Sequence, residues 1–223
     1  MKEVNLILGG THGLGAEIAA DLQARGEETF VTGRSYNEAE HGAGMQVDLA
    51  SEDSADFLLQ HVQDLGDVAL KRFFWVAASP AYVGDFATQP NVRDVVAINV
   101  GNVIQIAQAA WRLMIKQKEA SDFVIVSSTT GVKVRNNETT YGSTKAFQVM
   151  FAHDLRAESE RLQSSVNVSL VMPGGMQTPW WDGQRPAAYD EFLDPKKVAA
   201  KIYEFIHMPT DYGDDLTIER GSL

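Results

Sequence analysis

The sequence contains no cysteine, which excludes disulfides, thiolate nucleophiles and cysteine-based zinc sites. It also lacks any run of about 20 apolar residues able to span a bilayer: the uncharged stretch from Val95 to Trp111 is broken by Asn99, Asn102, Gln105 and Gln108. The opening residues, MKEVNLILGG, hold no long apolar stretch of the secretory-signal type. Positive charge is scarce. Lysines and arginines number 19 against 30 aspartates and glutamates, for a formal net charge of -11, and Lys196-Lys197 is a pair, not a patch. A chain of that sign repels phosphate backbones. A soluble, cytoplasmic protein without a nucleic-acid or membrane partner is therefore expected.

What is present is ordinary globular usage, 44% hydrophobic and 22% charged, which argues against disorder. The length of 223 residues suits one domain, 1–223, with a sizeable core. Val4 to Leu8 is a short apolar run ended by glycine and reads as a buried strand. From Gly13 to Arg25, Leu14, Ile18, Ala19 and Leu22 recur at helical spacing, with Gly26 as a stop. The alternation continues with strands at 29–32, 45–47 and 72–78 and a helical stretch from Asp53 to Leu65. Further helices are expected at Val92–Lys118, Tyr141–Leu162 and from Pro195 to Ile206, and further strands at 122–128, 165–173 and 216–218. Runs such as FVIV, with little alternation, suit strands covered on both faces. The pattern predicts an α/β fold: a Rossmann-like, doubly wound parallel sheet of about seven strands, helices on both faces, ligands at the carboxyl ends of the strands.

The loop after the first strand, LILGGTHGLG, would let the backbone approach a pyrophosphate at a helix N-terminus. Its glycines Gly9, Gly13 and Gly15 do not follow the G-x-G-x-x-G spacing, and a plain strand-to-helix turn is the alternative. The second strand ends Thr32-Gly33-Arg34-Ser35, without the acid that would hold the ribose hydroxyls of NAD. Arg34 suits a 2′-phosphate, which favours NADP (NADPH) over NAD; a solvated loop arginine is the alternative. Asp48 could accept from an adenine amino group or cap the next helix.

Tyr141 and Lys145 stand four apart at the head of an expected helix and so share a face. An adjacent ammonium would lower the phenol pKa towards the range of acid-base catalysis. Ser127 and Ser128, at the end of a strand, would meet this pair at the carboxyl edge of the sheet. A Tyr-x-x-x-Lys alone is weak, and two ordinary polar residues on a helix explain it equally. The remaining histidines, His41, His61, His153 and His207, show no metal spacing with carboxylates, and no metal is expected.

On these residues the chain resembles the classical short-chain dehydrogenase/reductase (SDR) family over essentially its whole length. The family motif T-G-x-x-x-G-x-G falls on Leu8 to Gly15, the acid after the third strand on Asp48 and the active-site asparagine on Asn99. Tyr141 and Lys145 complete the set, with Ser128 at the usual thirteen residues before Tyr141, and Pro173-Gly174 precedes Thr178 as in the family. There are two departures. Leu8 replaces the first threonine, and Val76-Ala77-Ala78-Ser79 replaces Asn-Asn-Ala-Gly, whose side chains would tie this strand end to its neighbours.

The resemblance implies an NADP-dependent oxidoreductase moving a hydride between nicotinamide and a small carbonyl or alcohol substrate. Tyr141 would be general acid/base, Lys145 would lower its pKa and bind the nicotinamide ribose, and Ser128 would polarise the carbonyl. Asn99 would hold a water linked to Lys145; a polar residue on a helix face is its alternative. Cofactor contacts are implied for Gly9, Thr11, His12, Gly13, Leu14, Gly15, Arg34, Ser35, Asp48, Leu49, Ala77, Ala78, Lys145, Pro173, Gly174, Met176 and Thr178. His12 is a further candidate for the 2′-phosphate, or an exposed loop residue. A substrate lid around 178–194 would present Trp180, Trp181 and Tyr189, with Phe192, unless these aromatics are core or oligomer contacts. Arg185, Asp182 and Lys133 could read polar groups. The two long helices, through Ala107, Ala110, Phe147, Met150 and Phe151, would form a homodimer or homotetramer. A non-catalytic NADP-binding regulatory protein and a dehydratase or isomerase using the same Tyr and Lys are the rival readings.

Overall fold

A computed structural model describes residues 2–51, 53, 54, 56–58, 60, 68–183 and 185–223. Seven strands form one sheet: β1 (Lys2–Leu8), β2 (Thr29–Gly33), β3 (Gly44–Gln46), β4 (Val68–Trp75), β5 (Ser121–Val126), β6 (Val166–Pro173) and β7 (Asp215–Ile218). Their order is β3-β2-β1-β4-β5-β6-β7, and every neighbouring pair is parallel. The helices are α1 (Gly13–Ala24), α2 (Glu38–His41), α3 (Val92–Val96), α4 (Asn102–Met114), α5 (Thr139–Leu162) and α6 (Pro195–Ile206), with a π turn (Ala97–Gly101) between α3 and α4.

The apolar runs are strands because helices cover both faces of the sheet. Successive residues of β4 point to opposite faces. Phe73 and Trp75 join Leu6, Ile106, Met114 and Phe123 on one side, and Phe74 joins Ile7, Leu22, Val124 and Ile202 on the other. Ala107 and Ala110 lie in the first of these cores, packed on their own sheet. They are therefore unavailable for the oligomer interface suggested for them.

Chain order reverses between β1 and β4, so the crevice above their carboxyl ends is the switch point where such sheets bind ligands. β4 begins at Val68 and ends at Trp75, where the sequence suggested 72–78. Val76 and Ala77 leave the sheet because both their amides turn to the Leu8 carbonyl, at 3.0 and 2.7 Å. This main-chain tie joins β1 to the end of β4 at the place where the family motif would put asparagine side chains. The helix expected to reach Lys118 stops at Met114. Beyond it, Gln117 pairs through its side chain with Leu70, accepting from its N at 2.8 Å and donating to its O at 3.0 Å. Of the helix expected at Asp53–Leu65, Ser54, 56–58 and Gln60 are helical; the rest, with His61, lies outside the described residues.

Candidate active site

A cleft of about 580 Å³ opens along the carboxyl edge of the sheet, from Arg34 and Ser35 past the glycine loop to Tyr141, Lys145 and Trp180. The glycine loop is shaped by close approach. Gly9 has φ +88, and a Cβ on it would lie 2.6 Å from the Ala77 backbone; a Cβ on Gly15 would lie 2.0 Å from the Gly9 carbonyl oxygen. Only glycine lets strand end, loop and helix start pack this tightly. His12 is the N-cap of α1 and makes no side-chain capping bond. The first-turn amides of α1 thus have no side-chain acceptor from that cap, and Gly13, Leu14 and Gly15 line the cleft. That is a place for an anion.

Thr11, His12, Arg34, Ser35, Asp48, Leu49, Ala77, Ala78, Met176 and Thr178 also line the cleft. Among the described residues no carboxylate pairs with the Arg34 guanidinium. His12 is exposed, its Nδ1 3.1 Å from Thr11 Oγ1. The Asp48 carboxylate accepts from Ala50 N at 3.0 Å, the capping arrangement considered for it. The Leu49 carbonyl accepts from the buried Asn102 amide at 2.7 Å, a tie that spacing gave no hint of. Pro173, Gly174, Ser128 and Asn99 do not line the cleft; Ser127 does, but its hydroxyl donates to the Lys145 carbonyl at 2.8 Å.

α5 carries Tyr141 and Lys145 one turn apart, both almost fully buried. The Lys145 ammonium lies 5.7 Å from the Tyr141 ring centroid. It donates to the Val126 carbonyl at 3.0 Å and to Gln148 Oε1 at 2.9 Å. Burial pulls the Lys145 pKa down to about 7. Burial pushes the Tyr141 phenol above its ordinary value; the nearby Glu138 carboxylate adds to this, and the Ser128 hydroxyl opposes it. The spacing predicted a phenol lowered by its lysine. In the fold desolvation outweighs that effect, because it weakens the charged form of both groups at once.

Asn99 is fully buried in the π turn. Its Oδ1 accepts from Ser79 N at 2.6 Å and its Nδ2 donates to Thr144 Oγ1 at 3.0 Å. The side chain joins the segment after β4 to α5. Ser128 Oγ donates to the Pro173 carbonyl at 3.4 Å and accepts from Thr130 N at 3.2 Å, which seats it at the β5–α5 junction.

Of the aromatics at 178–194, only Trp180 lines the cleft. Trp181 packs behind it, tilted, at 5.6 Å, Phe192 follows at 5.3 Å, and Tyr189 packs on Phe192 at 5.7 Å. The charges offered as polar readers are engaged in ion pairs: Arg185 with Asp182 at 3.0 Å, and Lys133 with Glu219. Gln148 escaped the sequence reading. Its only signal was a polar residue three positions after Lys145, on the same helix face.

Among the described residues no helix is long and apolar enough to cross a membrane, and no group of three metal-binding side chains occurs. The short chain dehydrogenase family profile matches residues 3–188. The 3-oxoacyl-[acyl-carrier-protein] reductase of Bos taurus is 26% identical over 190 residues, 80% of this chain and 77% of that one. The Pseudomonas aeruginosa RhlG/NADP active-site complex superposes with a TM-score of 0.83 at 20% identity, covering 99% of this chain and 96% of that one. A closed serine dehydrogenase complexed with NADP+ gives 0.84 at 18% identity, covering 96% and 94%. With the family profile spanning most of its length and its fold shared with these structures, the chain belongs to the short-chain dehydrogenase family.

Proposed function

We propose that this protein is an NADP(H)-dependent oxidoreductase acting between a small carbonyl compound and its alcohol. The observation that carries the reading is one continuous cleft with Arg34 at one end and the buried Tyr141 and Lys145 at the other, passing the helix start whose cap makes no side-chain bond. The fit to a dinucleotide rests on the cradle itself, since a Cβ on Gly9 or Gly15 would close it.

Gly9, Thr11, Gly13, Leu14 and Gly15 would hold the pyrophosphate, and Arg34, Ser35 and His12 the 2′-phosphate. Asp48, Leu49, Ala77 and Ala78 would face the adenosine, and Lys145, Pro173, Gly174, Met176 and Thr178 the nicotinamide side. When bound, NADP(H) supplies or accepts the hydride. Tyr141 gives a proton to the substrate oxygen in reduction and takes it back in oxidation. Ser128 donates a hydrogen bond to the same oxygen. Lys145 in its protonated form favours the phenolate and so eases the transfer. Asn99 acts from behind, keeping Ser79 and Thr144 in place.

The aromatic segment 178–194 is read as the lid of the same domain, and its apolar wall favours an apolar or ring-containing substrate. The expected homodimer or homotetramer would use α5, where Met150 is 60% exposed. The test is cofactor oxidation against a carbonyl panel, with NADH as the comparator. Turnover with NADPH supports the reading. Tight NADPH binding without turnover would favour the non-catalytic regulatory protein.

A further inference from the structure

Gln148 is fully buried one turn beyond Lys145 on α5. Its Oε1 accepts from Lys145 Nζ at 2.9 Å, and its Nε2 donates to the Asn99 main-chain oxygen at 3.3 Å. What faces the amide dictates its orientation. An ammonium only donates and a carbonyl oxygen only accepts, so the flipped amide would set N–H against N–H and oxygen against oxygen.

Lys145 Nζ donates its second hydrogen bond to Val126 O, at the end of β5. Two of the three ammonium hydrogens therefore point at fixed carbonyl oxygens, and the third is left for the cleft where Tyr141 lies. A lysine on its flexible four-carbon stem has no such direction unless its partners impose one. The Asn99 carbonyl belongs to the π turn, and the Asn99 side chain holds that turn to Ser79 and Thr144. The chain Asn99–Gln148–Lys145 is thus a direct connection from the π turn to the ammonium.

We propose that Gln148 is the positioning residue of this site, its amide clamping Lys145 between β5 and the π turn so that one N–H stays directed at the reacting end of the cleft. The role rests on the oxidoreductase reading above. The clamp also has an electrostatic consequence. Carbonyl acceptors favour the protonated amine, whereas burial disfavours it. The titratable group facing Lys145 from its own helix is Tyr141, with Glu138 at the helix start. The neighbouring residues at the end of β5, just beyond it and in the π turn, Val126, Ser127 and Asn99, are uncharged, and Asp182 lines the same cleft.

The experiment compares wild type, Gln148→Leu and Gln148→Glu in two ways: NMR titration of Lys145 in the ligand-free protein with ¹³C-labelled lysine, and the pH profile of kcat for NADPH-dependent carbonyl reduction. Gln148→Leu removes one acceptor, so Lys145 should titrate about one to two pH units lower, and the limb of the kcat profile that reports it should move with it. Gln148→Glu keeps an oxygen acceptor for Lys145 and adds a charge, so Lys145 should titrate above its wild-type value, while kcat should stay below wild type because a carboxylate cannot donate to the Asn99 oxygen. A Lys145 titration and a kcat profile unmoved in both variants, whatever the loss of melting temperature, would reduce Gln148 to packing and overturn the proposal. Should Gln148→Leu fail to fold, an unmoved Lys145 in Gln148→Glu would overturn it equally. Absence of turnover in wild type would sink the oxidoreductase reading alone, because the ligand-free titration tests the clamp without it.

Discussion

The Trp180 indole lies against the Tyr141 ring, the two centroids 5.1 Å apart and the planes at 57°. This contact covers part of the Tyr141 ring, of which only 5% is exposed. On the proposed reading it makes the lid and the proton donor one unit, so that a substrate meeting Tyr141 would also meet Trp180. Trp180→Ala should raise KM for an apolar carbonyl substrate about tenfold or more, the effect of losing a large aromatic contact, while leaving NADPH affinity within about threefold. Steady-state kinetics alongside NADPH titration reads both quantities. A KM unchanged across apolar substrates would remove the indole from the substrate wall.

Tyr141→Phe deletes the hydroxyl and keeps the ring that packs on Trp180. Turnover should fall by about two to four orders of magnitude, the range of general acid-base catalysis, with NADPH binding retained. Single-turnover measurement of NADPH consumption is the check. Activity close to wild type would assign the proton transfer to another group.

Arg34 lines the far end of the cleft, exposed. Arg34→Asp exchanges the proposed 2′-phosphate partner for a ribose partner, so the NADPH-to-NADH affinity ratio should drop about tenfold or more. Titration of both cofactors measures the ratio. An unchanged ratio would leave discrimination to Ser35 or His12.

At the opposite edge of the sheet, Glu27 accepts from Lys71 and Arg72. Burial pushes its carboxyl pKa up, but hydrogen bonds from Lys71 and Arg72 more than offset this and hold it at about 2. The folded-state value thus lies below that of the unfolded chain. Its stabilisation is fully present above about pH 4.5 and is lost as pH falls towards 2, on the order of 2 kcal/mol after discounting for partial exposure. Asp122, on the other side of the Arg72 guanidinium, is pushed up by burial and works against it in the same window. Glu27→Gln isolates the first effect: the variant should be less stable than wild type at pH 7, and the two melting temperatures should converge between about pH 4.5 and 2. Parallel curves over that range would deny Glu27 the role.

Much of this molecule could be read along the chain because its signals are local. Each β-strand of the interior announces itself as an unbroken apolar run, since both of its faces are covered. The glycines at 9, 13 and 15 record a backbone that must pass within van der Waals contact of its neighbours. Tyr141 and Lys145 share a helical face by spacing alone. The end of β4 was misjudged because Val76 and Ala77 look like strand residues; what ends the strand is a carbonyl on β1. Lysine, likewise, promised a lowered phenol pKa by adjacency, and burial decided otherwise.

By itself, then, the sequence determined the order of the elements, the parallel sheet and the positions of the residues on which the proposed chemistry depends. Periodicity, strand burial and glycine geometry are all properties of neighbours in the chain. Only the tertiary structure decided which partners those residues meet. Asn99 reaches Ser79 and Thr144, Gln148 reaches Asn99, and Trp180 covers Tyr141. Those pairings join segments 20, 45, 49 and 39 residues apart. Hydrogen-bond direction and desolvation at such contacts depend on where separate elements come to rest, and no local pattern encodes that.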